Sequence, residues 1–294
     1  MNAAEFVVDG ILFPEGLAWS PDDQTLLVTS VQEGVVYKVL PGEHRKIAFA
    51  DIGGGANNVA LARGAEALVT QNGGLDAYPS ISRSFPDVAP WPAIRHATPG
   101  LVHIDHGGTI TNVLVGGVEA PNDLVVDRDN TVYFTDPGNP FLAKPRNARV
   151  MALSTTGELR TVASGFDYCN GIEIEGDGIL LVTDHEGLLR VAVDSGEVEW
   201  VAKGIANPAP DGVTVDRDGR VYVATSREAV VRVLENGRVV ESLTVPGEGS
   251  VSNCCFGGPN HDWLFVTDTR HGRVMVFTDM ATPGRPAYPW SPLS

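Results

Sequence analysis

Six stretches of the chain share one pattern: a residue with an oxygen-bearing side chain, followed by a short apolar run. They read Glu15-Gly-Leu-Ala-Trp, Asn58-Val-Ala-Leu, Asn122-Asp-Leu-Val-Val, Asn170-Gly-Ile-Glu-Ile, Asp211-Gly-Val-Thr-Val and Asn253-Cys-Cys-Phe. Each leads through a turn to a second apolar strand with a recurring ending. Those strands are Thr-Leu-Leu-Val-Thr-Ser (25–30), Glu-Ala-Leu-Val-Thr-Gln (66–71), Thr-Val-Tyr-Phe-Thr-Asp (131–136), Ile-Leu-Leu-Val-Thr-Asp (179–184), Arg-Val-Tyr-Val-Ala-Thr (220–225) and Trp-Leu-Phe-Val-Thr-Asp (263–268). A third strand follows in each unit and a more polar fourth closes the first five, as at Gly187–Val193 and Glu197–Val201. Turn signals such as Ser20-Pro-Asp-Asp and Asp127-Arg-Asp-Asn separate them. No stretch keeps a helical period for three turns.

The polar heads recur about 41 to 64 residues apart. Four short strands per repeat of this length predict β-propeller blades, and six repeats predict a six-bladed ring occupying residues 1–294 as one all-β domain. A β-sandwich with coincidental periodicity is the competing architecture. The last unit has no convincing fourth strand, whereas Glu5-Phe-Val-Val-Asp precedes the first head, so the N-terminal strand is expected to close the ring. If the first strand of each blade lines the tunnel and starts at its top, all six heads lie at the top of one axis. The loops between second and third strands then share that face. His96, His185 and His271 fall there and are candidate substrate contacts, whereas His44, His103, His106 and His261 are assigned structural or solvated positions. The longest interval between heads places an insertion at about 73–99 on top of blade 2. Its aromatic residues, Tyr78 and Trp91 among them, predict a lid over the tunnel mouth. A smaller excess, Pro137–Ala148, tops blade 3.

Composition narrows the function classes. A net charge of −16 disfavours a nucleic-acid partner, and no apolar run is long enough for a membrane span. The N-terminus has neither the basic start nor the apolar stretch of a signal peptide. Three cysteines make no disulfide framework, so a cytoplasmic location is expected. Cys169 and Cys254 each adjoin a head, and strand alternation reads them as buried small apolar groups.

Two carboxylates, Glu15 and Asp211, brought together at a dry tunnel mouth repel unless a cation or a proton compensates. With the amide oxygens of Asn122 and Asn170 they form an all-oxygen donor set that suits Ca²⁺, with Mg²⁺, Mn²⁺ or Zn²⁺ as alternatives. A polar plug of Asn side chains and water is the competing structural explanation.

Four motifs resemble the SMP-30/gluconolactonase/luciferin-regenerating-enzyme-like family: Phe13-Pro-Glu15-Gly-Leu-Ala-Trp, Pro121-Asn122-Asp-Leu-Val-Val-Asp, Asn170-Gly-Ile-Glu-Ile and Pro210-Asp211-Gly-Val-Thr-Val-Asp. The resemblance spans nearly the whole chain. It implies a six-bladed propeller with a divalent cation at the top of the tunnel, held by Glu15, Asn122, Asn170 and Asp211. Asn58 and Asn253 would form an outer shell, with Asn58 counted among the substrate-binding residues beside His185, His271, Tyr78 and Trp91. Sugar-lactone members carry an arginine two residues before the third-blade asparagine. This chain has Ala120 there, which shifts the expected substrate toward a less polar lactone or ester.

The expected function is a metal-dependent lactonase acting on a small molecule, with the cation polarising the carbonyl and Asp211 as general base or nucleophile. No Gly-x-Ser-x-Gly elbow occurs, which argues against a serine esterase. Two alternatives remain at this stage. One is a non-catalytic calcium-binding or partner-binding propeller. The other is a lyase on the same scaffold, with His185 or His271 as its base.

Overall fold

The computed structural model describes residues 3–138, 147–206 and 209–292. It contains six separate four-stranded antiparallel sheets arranged as a six-bladed β-propeller. In five of them the strands follow chain order from the axis outward. In the sixth the three strands Val251–Gly257, Trp263–Asp268 and Arg273–Phe277 follow in the same way, and the N-terminal strand Glu5–Val8 takes the outermost place by pairing with Arg273–Phe277. The ring is therefore closed by the N-terminus joining the last blade, as the sequence led one to expect. Among the described residues no helix is long and apolar enough to cross a membrane.

The strands form where β-branched and aromatic residues alternate with smaller ones, and burial grades them by position. Second strands such as Thr25–Ser30 are buried throughout, while the fourth strand Arg45–Asp51 is mostly exposed. The bottom turns are fixed by aspartates whose side chains mimic a backbone turn. Asp127 Oδ1 accepts from the N–H groups of Asp129 and Thr131 at 2.8 and 2.9 Å, and Asp216 Oδ1 serves Asp218 and Arg220 in the same way. Apolar side chains gather in six clusters, one at each blade–blade interface. The closing interface contains Trp19 stacked on Phe265, with Val7 and Val8 of the N-terminal strand. Cys169 and Cys254 lie in two of these clusters, and burial pushes both thiols up, in keeping with the apolar role expected of them.

The recurring threonine of the second strand joins adjacent blades. Thr29, Thr70, Thr135, Thr183 and Thr267 each accept from a tunnel-strand N–H of their own blade, namely Gly16, Asn58, Asp123, Gly171 and Asn253. Each also donates to a carbonyl of the next blade: Asn57, Asn122, Asn170, Asp211 and Glu15. One hydroxyl thus satisfies two buried backbone groups and fixes two blades at the top of the axis. Blade 5 is the exception. Strand pairing sets Val223 opposite Val213 as Val28 is set opposite Leu17, so Ala224 takes the threonine position.

Below this level the tunnel widens into a cavity of about 820 Å³ that opens toward the bottom face. Its wall includes Ala18, Ala60, Val125, Thr214 and Cys255, with Glu173 as an acid among them. The C-terminal segment crosses the bottom, which the sequence did not reveal. Arg217 N–H donates to the Pro283 carbonyl, and Trp290 is buried beside blades 2 and 3 through backbone bonds with Leu61 and Arg63.

Two predictions follow from this frame. Thr135→Val should destabilise the fold by about 2–4 kcal/mol, because it strands the Asp123 N–H and the Asn170 carbonyl, whereas Thr135→Ser should cost far less; denaturant unfolding of both variants checks this. The second concerns Glu173, whose carboxyl burial pushes up to about 7. The folded state therefore holds this proton more tightly than the unfolded chain does. The resulting stabilisation is complete below the ordinary carboxyl range and is lost as pH rises through about 7. Glu173→Gln should accordingly gain on the parent by about 2 kcal/mol between pH 5 and 8, measured by unfolding at each pH.

Candidate active site

Strand register defines the ring at the top of the tunnel. Leu17, Val59, Leu124, Ile172, Val213 and Cys254 occupy equivalent places, each opposite the residue before the threonine position. Two residues earlier stand Glu15, Asn57, Asn122, Asn170, Asp211 and Ser252. Glu15, Asn122, Asn170 and Asp211 are thus brought to one level, in the order expected. In blades 2 and 6 the heads are Asn57 and Ser252, not Asn58 and Asn253. The apolar run hides this: in blades 1, 3, 4 and 5 a Gly or Asp separates the head from the first apolar residue, whereas in blades 2 and 6 that position is itself an asparagine, so the residue next to the run is one place past the head.

Asn58 and Asn253 belong one level down, equivalent to Gly16, Asp123, Gly171 and Gly212. There Asn253 Nδ2 donates to both carboxylate oxygens of Asp123, at 3.2 and 3.1 Å. These residues come from blades 6 and 3, on opposite sides of the ring, so their contact spans the axis. Asn58 also hydrogen-bonds Asp123, and all three line the upper end of the cavity below. The glycines make this possible. A Cβ at Gly16 would lie 2.6 Å from Asn58 Oδ1, and one at Gly212 would lie 2.4 Å from Asn253 Cγ.

The electrostatics of the ring follow from burial. Glu15, Asp123 and Asp211 are all buried. Burial first, then the charges of Asp211 and Asp123, hold the Glu15 carboxyl well above the usual range. Burial pushes Asp211 up to about 8, opposed by hydrogen bonds from Ser226 and Asn170, and pushes Asp123 up to about 7. Tyr168 hydrogen-bonds Asn122, and burial with the Asp211 and Glu15 charges keeps its phenol protonated. Three buried acids near one axis, with no cationic side chain among the causes of their shifts, fit a hard cation as counter-charge. No group of three His, Cys, Asp or Glu suited to a metal occurs among the described residues. The candidate donor set is instead two carboxylates and two amides, an all-oxygen chemistry appropriate to Ca²⁺.

The top loops place the other candidates around the mouth. His185 Nδ1 lies 2.6 Å from Asp167 Oδ2, and its ring stacks on Tyr168 with centroids 5.4 Å apart. His271 Nδ1 lies 2.7 Å from Asp268 Oδ2, a carboxylate that also anchors Arg273 and accepts from Ser250 N–H. Tyr78 and Trp91 pack together at 5.6 Å, and Trp91 meets Phe13, two residues from Glu15, edge-on at 5.9 Å. The insertion carries a short helix, Tyr78–Ser84, where the sequence suggested irregular structure. From blade 2 it reaches blade 1 through the bond from Gln32 to the Pro92 carbonyl. It reaches blade 5 through Arg227 to Ser80, and blade 6 through Arg270 to Asp87. Ala120 is buried and its N–H donates to Asp136 Oδ1 at 2.8 Å. Of the Pro137–Ala148 excess, residues 139–146 lie outside the described residues.

Several residues of this site escaped the sequence: Asn57, Ser252, Asp123, Tyr168 and Ser226. Asp123 follows Asn122 directly and has the local pattern of a strand residue. Ser226 had a signal, since the ending Ala-Thr-Ser of blade 5 departs from the Thr-Asp of its neighbours.

Residues 13–270 match the model of the SMP-30/gluconolactonase/LRE-like region. Among relatives, a gluconolactonase of Zymomonas mobilis is 25% identical over 185 residues, covering 54% of this chain and 50% of that protein. The pentonolactonase XacC of Haloferax volcanii is 29% identical over 157 residues, covering 50% and 52%. The matched stretches thus span about half the length of these relatives. The solved structure of a calcium-binding protein, regucalcin, from Agrobacterium tumefaciens superposes with a TM-score of 0.73 at 17% identity, covering 98% of this chain and 99% of that one. The chain belongs to the SMP-30/gluconolactonase/LRE-like family.

Proposed function

We propose that the protein is a metal-dependent hydrolase, a lactonase that opens a cyclic ester. The observation that carries this is the meeting of Glu15 and Asp211, both buried and both held above the ordinary carboxylate range, with Asn122 and Asn170 at the tunnel top. Gluconolactonase and pentonolactonase relatives support the reaction class, and the regucalcin relatives support a divalent cation, Ca²⁺ in the first instance.

Glu15, Asn122, Asn170 and Asp211 would hold the cation, which would polarise the lactone carbonyl and stabilise negative charge on its oxygen. Asp211 would take a proton from the attacking water and pass it to the departing ring oxygen. Its Oδ2 accepts from the Ser226 hydroxyl. Asn170, bonded to Asp211, fixes that carboxylate from the neighbouring blade. Tyr168, protonated beside Asn122, offers a hydrogen bond to the substrate. The Tyr78–Trp91 pair would form an apolar lid that keeps bulk water from the carbonyl. With Ala120 buried in place of a projecting arginine, these aromatics favour a lactone with an apolar substituent over a polyhydroxylated one.

Chelation should abolish lactone opening, and added Ca²⁺ should restore it; full activity in the chelated protein would defeat the proposal. Asp211→Asn should lower kcat by about 10³-fold or more, and calorimetry should still detect a bound cation, at reduced affinity.

A further inference from the structure

We propose that Ser226 and Arg227 couple the aromatic insertion to Asp211, so that docking of the insertion sets the orientation of the carboxylate. This rests on the lactonase reading of the site and adds to it a positioning residue and a link to a distant segment. Three observations carry it. Ser226 lies just past the strand position at which blade 5 breaks the repeat, with Ala224 where the other five blades carry the bridging threonine. Its hydroxyl is not spent on backbone; it donates to Asp211 Oδ2. Arg227 follows at φ +65°, a left-handed conformation that non-glycine residues seldom adopt. That conformation is held by the bond from Arg227 N–H to Ser250 Oγ at 3.1 Å and by the turn from Glu228 N–H to the Thr225 carbonyl at 3.1 Å. It turns the chain so that consecutive side chains serve opposite partners. Ser226 meets the ring, while the Arg227 guanidinium donates to Ser80 Oγ at 3.1 Å on the helix Tyr78–Ser84.

The helix comes from blade 2 and Arg227 from blade 5, which face each other across a ring of six. The contact therefore forms only when the insertion spans the mouth. A second anchor supplies the internal control. Arg270 of blade 6 binds Asp87 at 3.0 Å and lies 4.4 Å from the centre of the Phe85 ring, and it has no hydrogen bond to Ser226. Both arginines hold the insertion, but Arg227 alone is adjacent in the chain to the group that orients Asp211.

The test is a pair of double-mutant cycles on the full chain, with a small aliphatic lactone as substrate and Ca²⁺ present. Ser226→Ala should lower kcat about 10- to 100-fold with KM and Ca²⁺ affinity little changed, and Ser226→Thr, which keeps a hydroxyl, should recover most of the loss. Arg227→Gln should lower kcat about 3- to 10-fold, and the Ser226→Ala/Arg227→Gln double variant should be no worse than Ser226→Ala alone. Arg270→Gln should instead multiply with Ser226→Ala. Amide exchange gives a readout independent of turnover: Arg227→Gln should speed exchange both in residues 78–84 and around Ser226, and Arg270→Gln only in the insertion. Multiplicative losses for Ser226 and Arg227, or wild-type kcat in Ser226→Ala, would overturn the coupling while leaving a lactonase intact. If the parent opened no lactone, the lactonase reading would fall, and the exchange pattern would still decide for or against the coupling.

Discussion

The structure depends on one repeated hydrogen-bond bridge. A threonine hydroxyl near the end of the second strand accepts from its own blade and donates to the next, five times around the ring. Six apolar clusters between the blades supply most of the burial, but they are not directional and would tolerate small slippage. The bridges are directional. They fix the carbonyls of Glu15, Asn57, Asn122, Asn170 and Asp211 at one level, and so fix where the side chains of those residues begin.

Closing the ring in this way forces acids together. Glu15 and Asp211 meet at the top, and Asp123 sits one level below, clasped by Asn58 and Asn253. The unfolded chain has no such conflict, because water separates and solvates the three groups. Their raised affinity for protons is the cost of assembling a site in which charge must be compensated. A cation would relieve it, and the oxygen-only donor set is the chemistry that invites a hard one. Beneath, the Asp123–Asn253 contact spans the tunnel at the upper end of the lower cavity, whose wall sets the buried acids Asp123 and Glu173 among small side chains.

The one irregular blade carries the residue proposed to do chemistry. In blade 5 an alanine stands where the bridging threonine belongs, and Ser226 is given over to Asp211 instead. The insertion, rooted opposite in blade 2, ends its reach on the neighbouring Arg227. Local departures from a regular repeat mark where a scaffold trades uniform stability for a specific contact.

Much was legible in the sequence because it repeats. The apolar runs, the Thr-Asp endings and the turn aspartates each recur, and repetition separates signal from composition. They determined the six blades, the closure by Glu5–Val8 and the meeting of Glu15, Asn122, Asn170 and Asp211 at one level. Other features depended on the third dimension. In blades 2 and 6 an asparagine follows the head and stands next to the apolar run, so only strand register shows that Asn57 and Ser252, not Asn58 and Asn253, complete the ring. Partners such as Asp123 and Asn253, 130 residues apart, or Arg227 and Ser80, 147 apart, meet only because the ring closes. The passage of the C-terminal segment beneath the tunnel carries no periodic mark at all. A local pattern can specify what each strand buries; which residues face one another across an axis is decided by closure, a property of the whole ring.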